Sequence, residues 1–306
     1  MVRQLSGNNR KIYILLALTT MLWGSIYPAN KALTEVAPTF TLLCLRYLIA
    51  AVFMTTYLQR RKQYIPSPKR TIEKGDRRYI ILFGIGAFAL CNGLQLAGTK
   101  MAGASLASLI NSMSPIAICI LAVIFLHEKL TARKVVCVIC AVTGAALVVS
   151  NSGGESHRIG IVFSLAAMIT WGIVSVFMRS FSQKYDALTI TTYGIYASAI
   201  ATFPLMIWEI SAKAPKALWQ PEYILLLLYV SIICTAATHM MWNYCLSKIE
   251  ASQCSLFMPI QPLTSMLLGV VLLGETISLN LVVGAVLTVI GILYSTMGER
   301  IRSEHV

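Results

Sequence analysis

Ser108, Asn111, Ser112 and Pro115 fall at i, i+3, i+4 and i+7 inside an otherwise apolar run, so they share one face of a helix. Thr235, His239, Trp242 and Asn243 form a similar stripe in a later run, and Asn92, Gln95 and Thr99 form one in an earlier run. Ser255 and Gln261 flank Phe257 in a fourth. A polar group in hydrocarbon raises the free energy unless it meets a partner or water, so such stripes point to a lined cavity. The chemistry on offer is recognition. Asn92, Gln95, Asn111, Ser112, His239, Asn243 and Gln261 would orient a small solute between the rings of Trp23, Tyr27, Trp171 and Trp242. The competing account for an isolated Ser or Thr is a hydrogen bond between helices. For Trp23 and Trp171 it is anchoring at the membrane interface.

Two ionisable residues sit deep in apolar sequence, Arg46 and His239. Arg46 could hold an anionic group such as a substrate carboxylate, or serve as a structural partner to polar groups on the first helix. His239 is a candidate for proton coupling, against the plainer role of a neutral hydrogen-bonding ring. Lys31 and Arg179 occupy helix ends and are candidates for gates, although basic residues there also snorkel to the headgroups. Pro115 and Pro262 are expected to kink their helices and permit bending, since a helix-interior proline cannot donate to the carbonyl four residues back. Glu128 and Glu275, ahead of Thr131 and Ser278, suit helix-start turns.

Enzyme chemistry has little support. Ser112 with His239 is a conceivable nucleophile and base, but no Gly-x-Ser-x-Gly accompanies them. His127-Glu128 lacks the second histidine of a zinc motif, and no nucleotide-binding Gly-x-x-x-x-Gly-Lys is present. No cofactor or metal site is expected.

The elements that must carry these residues are membrane helices. Of 306 residues, 57% are hydrophobic and only 12% charged, with a mean hydropathy of +0.72, whereas soluble domains are about a quarter charged. A spanning helix needs roughly 20 mostly apolar residues. Ten such runs are expected, at 12–31, 39–59, 79–99, 102–126, 133–150, 159–180, 188–208, 223–246, 251–273 and 279–298. All eight cysteines lie in these runs and read as small hydrophobes. The net charge of +13 does not point to nucleic acid, because its densest stretch, Arg60 to Arg78, is a loop between two spans. With the N-terminus inside, 19 basic residues fall on the cytoplasmic side and five on the other, which predicts both termini in the cytoplasm of a multi-pass inner-membrane protein.

The two halves, 1–150 and 151–306, repeat each other. A shift of 147 superposes Ala104-Ser105 on Ala251-Ser252, Ser108-Leu109 on Ser255-Leu256, Pro115 on Pro262, Glu128 on Glu275 and Gly144 on Gly291. A shift of 148 brings Trp23-Gly24 onto Trp171-Gly172 and Lys31 onto Arg179. Shared prolines, acids and glycines in register indicate duplication. Each copy holds five spans, so the second must enter the membrane from the opposite face, an all-α arrangement of two inverted five-helix repeats around a midplane site.

The Trp-Gly-Ser of the first span, Leu45-Arg46-Tyr47 of the second and the two copies running from a small-polar helix through proline to Glu (Ala104 to Glu128, Ala251 to Glu275) resemble the drug/metabolite transporter superfamily, EamA type. The resemblance covers almost the whole chain. It implies a ten-helix secondary transporter with a cavity lined by the first, third, fourth, sixth, eighth and ninth helices, commonly exporting amino acids or related metabolites. A phosphorylated or nucleotide-linked solute would call for several cavity cations, and Arg46 is the one placed deep. Lipid scrambling would need a polar groove open to the bilayer.

Overall fold

A computed structural model describes residues 2–64, 72–126, 155–212, 216–258 and 260–274, plus isolated positions elsewhere. Eight helical rods among them are long and apolar enough to cross a membrane. The expected fifth and tenth spans, and Glu128, Thr131, Glu275 and Ser278, lie wholly or almost wholly outside the described residues.

The first two rods are plain helices, α1 (Val2–Val36) and α2 (Thr39–Tyr64). The third is compound, running from α3 (Lys74–Gly84) through a π-helical segment (Ile85–Cys91) into α4 (Asn92–Ala102). The fourth is interrupted, as α5 (Ala104–Asn111) and α6 (Ser114–Leu126). After α7 (Glu155–Lys184) and α8 (Ala187–Ala212) comes a second compound rod. It consists of α9 (Pro221–Leu228), a π-helical segment (Tyr229–Ala237) and α10 (Thr238–Leu246). A second interrupted rod follows, α11 (Ala251–Ser255) and α12 (Ile260–Leu273).

The duplication in the sequence is therefore a duplication of irregularities. Under the shift of 147, α5 and α11 start together, α6 and α12 end together, and the two π segments overlap. Single π turns favour functional sites because they expose carbonyls and re-aim side chains. Here the Asn92 amide donates to the Ala87 carbonyl (3.1 Å) and the Thr235 hydroxyl to the Val230 carbonyl (2.7 Å), each reaching five residues back.

The prolines act differently from a mid-helix kink. The Ser112 amide turns back to the carbonyls of Ser108 and Leu109, its hydroxyl donates to the Leu109 carbonyl at 2.6 Å, and the helix stops. Pro115 then sits in the first turn of α6, where an N–H would lack a helical partner anyway. Pro262 sits likewise in the first turn of α12, after three successive tight turns at Leu256, Phe257 and Met258. The prolines open new half-helices instead of bending continuous ones.

Packing runs mainly between the repeats. α2 lies along its repeat mate α8, α1 packs on α12 while α7 packs on α6, and α4 packs on α7 while α10 packs on α1. Exchanging the two copies converts each pairing into another. The Trp-Gly motif explains part of this. A Cβ on Gly24 would lie 2.5 Å from the Gln261 carbonyl oxygen and 2.7 Å from Thr264 Cβ, and one on Gly172 would lie 2.6 Å from Ala117 Cβ. Ala117 and Thr264 are themselves related by the shift of 147. Gly24→Ala should therefore lower stability by about 1–3 kcal/mol through overpacking against backbone. Thermal unfolding in detergent checks this against Gly75→Ala, where a Cβ meets nothing within 4 Å. Equal effects at both positions would refute the close-approach account.

A lone acid completes the frame. Glu209, near the end of α8, accepts from the Thr41 amide (2.7 Å) and hydroxyl (3.1 Å), placing negative charge at the start of α2.

Candidate functional site

Trp23 from α1, Trp171 from α7 and His239 and Trp242 from α10 converge on one another. Ring centroids are 5.2 Å apart for Trp23–Trp171 and Trp23–Trp242, 5.3 Å for Trp23–His239 and 6.0 Å for Trp171–Trp242. Phe88, from the first π segment, stands 4.7 Å from His239. All three tryptophans are buried, at 6%, 8% and 1% exposure, so Trp23 and Trp171 belong to the interior and not to an interfacial belt. Four helical rods, drawn from both repeats, meet in this cluster.

Beside it, the Tyr27 hydroxyl is a hub. It accepts from the amides of Gln95 (2.9 Å) and Asn111 (2.6 Å) and donates to Gln261 Oε1 (3.4 Å). One hydrogen and two lone pairs are thereby all used. The hub joins α1, α4, α5 and α12. Tyr27→Phe strands three buried amide groups, so it should destabilise the protein by about 1–3 kcal/mol. A thermal-unfolding midpoint unchanged from wild type would show that the network contributes nothing.

Arg46 is buried at 3% exposure. Its Nε donates to the Thr235 hydroxyl and its Nη2 to Asn92 Oδ1 at 3.4 Å, so both π-bearing rods hold the guanidinium. Among the described residues it is the one buried side chain with a permanent charge, and no carboxylate pairs with it. His239 Nδ1 lies 2.8 Å from the Thr235 carbonyl; a carbonyl only accepts, so that nitrogen carries hydrogen. Its other nitrogen is left to the aromatic cluster.

Other expected site residues are placed elsewhere. Asn243 donates to the Thr191 hydroxyl (2.6 Å) and ties α10 to α8. The Ser112 hydroxyl is committed to the helix break. Arg179 donates to the Leu246 carbonyl, neutralising the end of α10. Lys31 stands half-buried near the end of α1. Asn30 was not among the expected residues, although Trp23, Tyr27 and Asn30 follow i, i+4, i+7. It is 3% exposed.

What the centre leaves unpaired matters most. The indole N–H groups of Trp171 and Trp242, Gln95 Oε1 and Asn111 Oδ1 are buried without a hydrogen-bond partner among the described residues. Buried polar groups are ordinarily satisfied, so a cluster of donors and acceptors left open requires an explanation. A polar solute supplies one.

A helical, multi-pass membrane protein built by duplication, with a buried aromatic and polar centre, is the class these features define. The chain belongs to the EamA-like transporter family, which matches residues 10–150 and again residues 158–297; this is a family of transporters and not of enzymes. An uncharacterized transporter of Archaeoglobus fulgidus is 27% identical over 92% of this chain and 97% of its own. The uncharacterized transporter YoaV of Bacillus subtilis is 24% identical over 94% and 97%. Protein PagO of Salmonella typhimurium is 24% identical over 95% and 94%. A solved crystal structure, 18% identical, superposes with a TM-score of 0.73 over 95% of this chain and 98% of that one, which establishes a shared fold.

Proposed function

We propose that this chain is a secondary transporter that moves a small polar or amphipathic metabolite by alternating access, exporting an amino acid or a related metabolite. The observation that carries the reading is the set of unpaired buried donors and acceptors around Tyr27 and the Trp23–Trp171–Trp242 cluster. Indole N–H groups suit acceptor oxygens of a polar solute, amide oxygens suit an ammonium group, and the rings suit an apolar side chain. Trp23, Tyr27, Gln95, Asn111, Trp171, His239 and Trp242 form the site in this reading. Arg46 supplies its cation, Asn92 and Gln261 position it, and Ser112 and Asn243 hold helices.

The proposal includes ten spans in two inverted repeats, 1–150 and 151–306, with both termini cytoplasmic. Support comes from the exchange of packing partners between copies, and from the excess of basic residues in the loops assigned to the inside. In this frame Pro115 and Pro262 mark the half-helix junctions that move as the two faces open, Lys31 and Arg179 guard opposite ends, and His239 takes the proton if transport is proton-coupled. Flux in proteoliposomes across neutral, acidic and basic amino acids, with and without a pH gradient, is the test. Saturable flux of an amino acid, strongly reduced at limiting substrate by the Trp171→Phe and Trp242→Phe pair, is expected. No flux of any solute in the panel would overturn the reading.

A further inference from the structure

A small cavity lies between α1, α2, α4 and the second compound rod, lined by Asn30, Leu33, Leu42, Arg46, Leu96 and Val230 among others. It holds about one water-sized molecule. Its chemistry is lopsided. Arg46 brings a permanent positive charge with no carboxylate among the described residues to balance it, and Asn30 Nδ2 is a buried donor with no partner among them. The rest of the lining is leucine and valine. A charge in such surroundings is costly unless something neutralises it, and neutral Asn92 and Thr235 satisfy only part of the guanidinium's five donors.

We propose that the Arg46–Asn30 cavity is a monoanion subsite, which receives the carboxylate head of a transported metabolite whose short apolar chain contacts the surrounding leucines. The proposal rests on the transport reading above and names the charge its substrate must carry. A planar carboxylate offers two oxygens, one to the free face of the guanidinium and one to the Asn30 amide. A single cation with one amide donor suits one negative charge; a phosphate dianion would leave charge unbalanced. The cavity has room for no more than a water, so the head and chain of the ligand enter together as the helices part.

Binding to the detergent-purified full chain tests this directly, with 4-methylpentanoate as probe, its uncharged amide 4-methylpentanamide as control, and inorganic phosphate as the competing anion. The acid is expected to bind at least tenfold more tightly than the amide or phosphate. Asn30→Asp should abolish that preference while the protein stays folded, because its own carboxylate would take the ligand's place beside Arg46. Asn30→Ala should weaken acid binding several-fold. Equal affinity for acid and amide, or undiminished acid binding by Asn30→Asp, would overturn the subsite, and so would phosphate as the preferred ligand. If the acid fails to bind while proteoliposomes still carry a neutral or cationic solute, the subsite falls and transport stands. If the acid binds as expected but no solute is moved, transport falls and the subsite stands.

Discussion

Replacing both Trp171 and Trp242 with phenylalanine should lower transport at limiting substrate about 10- to 100-fold while costing thermal stability only through the lost ring volume, about 1 kcal/mol per tryptophan. The two halves of this expectation have one cause. In the closed protein neither indole N–H has a described partner, so removing it breaks no hydrogen bond, and phenylalanine keeps most of the ring packing around Trp23 and His239. In the loaded protein the same N–H groups would bind the solute, and each such hydrogen bond contributes about 0.5–1.5 kcal/mol. Tyr27→Phe should lose stability through stranded amide groups with little lost volume, because its hydroxyl is fully partnered. Initial flux rates and unfolding midpoints for the three proteins decide the matter. A stability loss in the tryptophan variants that scales with their loss of flux would mean that the indoles are structural.

How much of this was legible in the sequence depends on the range of the interaction. The polar stripes and the shift of 147 are written at helical and repeat period, so Asn111, His239, Trp242 and the matching spans could be read directly. The π segments could not. An apolar stretch such as Ile85–Cys91 carries no period that separates one backbone hydrogen-bond pattern from another. Pro115 likewise reads the same whether it bends a helix or opens one; the outcome turns on Ser112 and Met113 closing the previous helix. Partner choice is longer in range still. Nothing local says that Asn243 meets Thr191 on α8, or that Arg46 meets Thr235, 189 residues away. Asn30 escaped because it is a single amide near a helix end, and its meaning comes from the cavity it shares with Arg46.

Charge reversal at Lys184 should unlatch one end of the protein. Lys184, the last residue of α7, donates to Glu73 Oε2 and Asp76 Oδ2, both at 2.8 Å, and the neighbouring Tyr185 hydroxyl donates to Asp76 Oδ2 at 2.6 Å. The acids stand at the start of α3, where the helix dipole also favours them. The sixth span is thus stapled to the third, one repeat to the other. The related positions at the opposite end are Val36, Gln220 and Tyr223, which carry no charge, so the staple acts on one face alone. Each exposed pair contributes little by itself, because solvent screens it. Lys184→Glu removes two attractions and adds two repulsions, so the balance shifts toward opening of that face. A cysteine at Val174 would report it, since that position is buried between α7 and the first π segment and lies about 15 Å along α7 from Lys184. In an otherwise cysteine-free protein its alkylation should accelerate in Lys184→Glu and slow again when Glu73→Lys is added. Unchanged alkylation in the single variant would remove the latch from the mechanism. Acceleration that the second substitution fails to reverse would point instead to local unfolding of α3, because a true latch responds to the sign of the charges and not to the identity of the side chain that carries them.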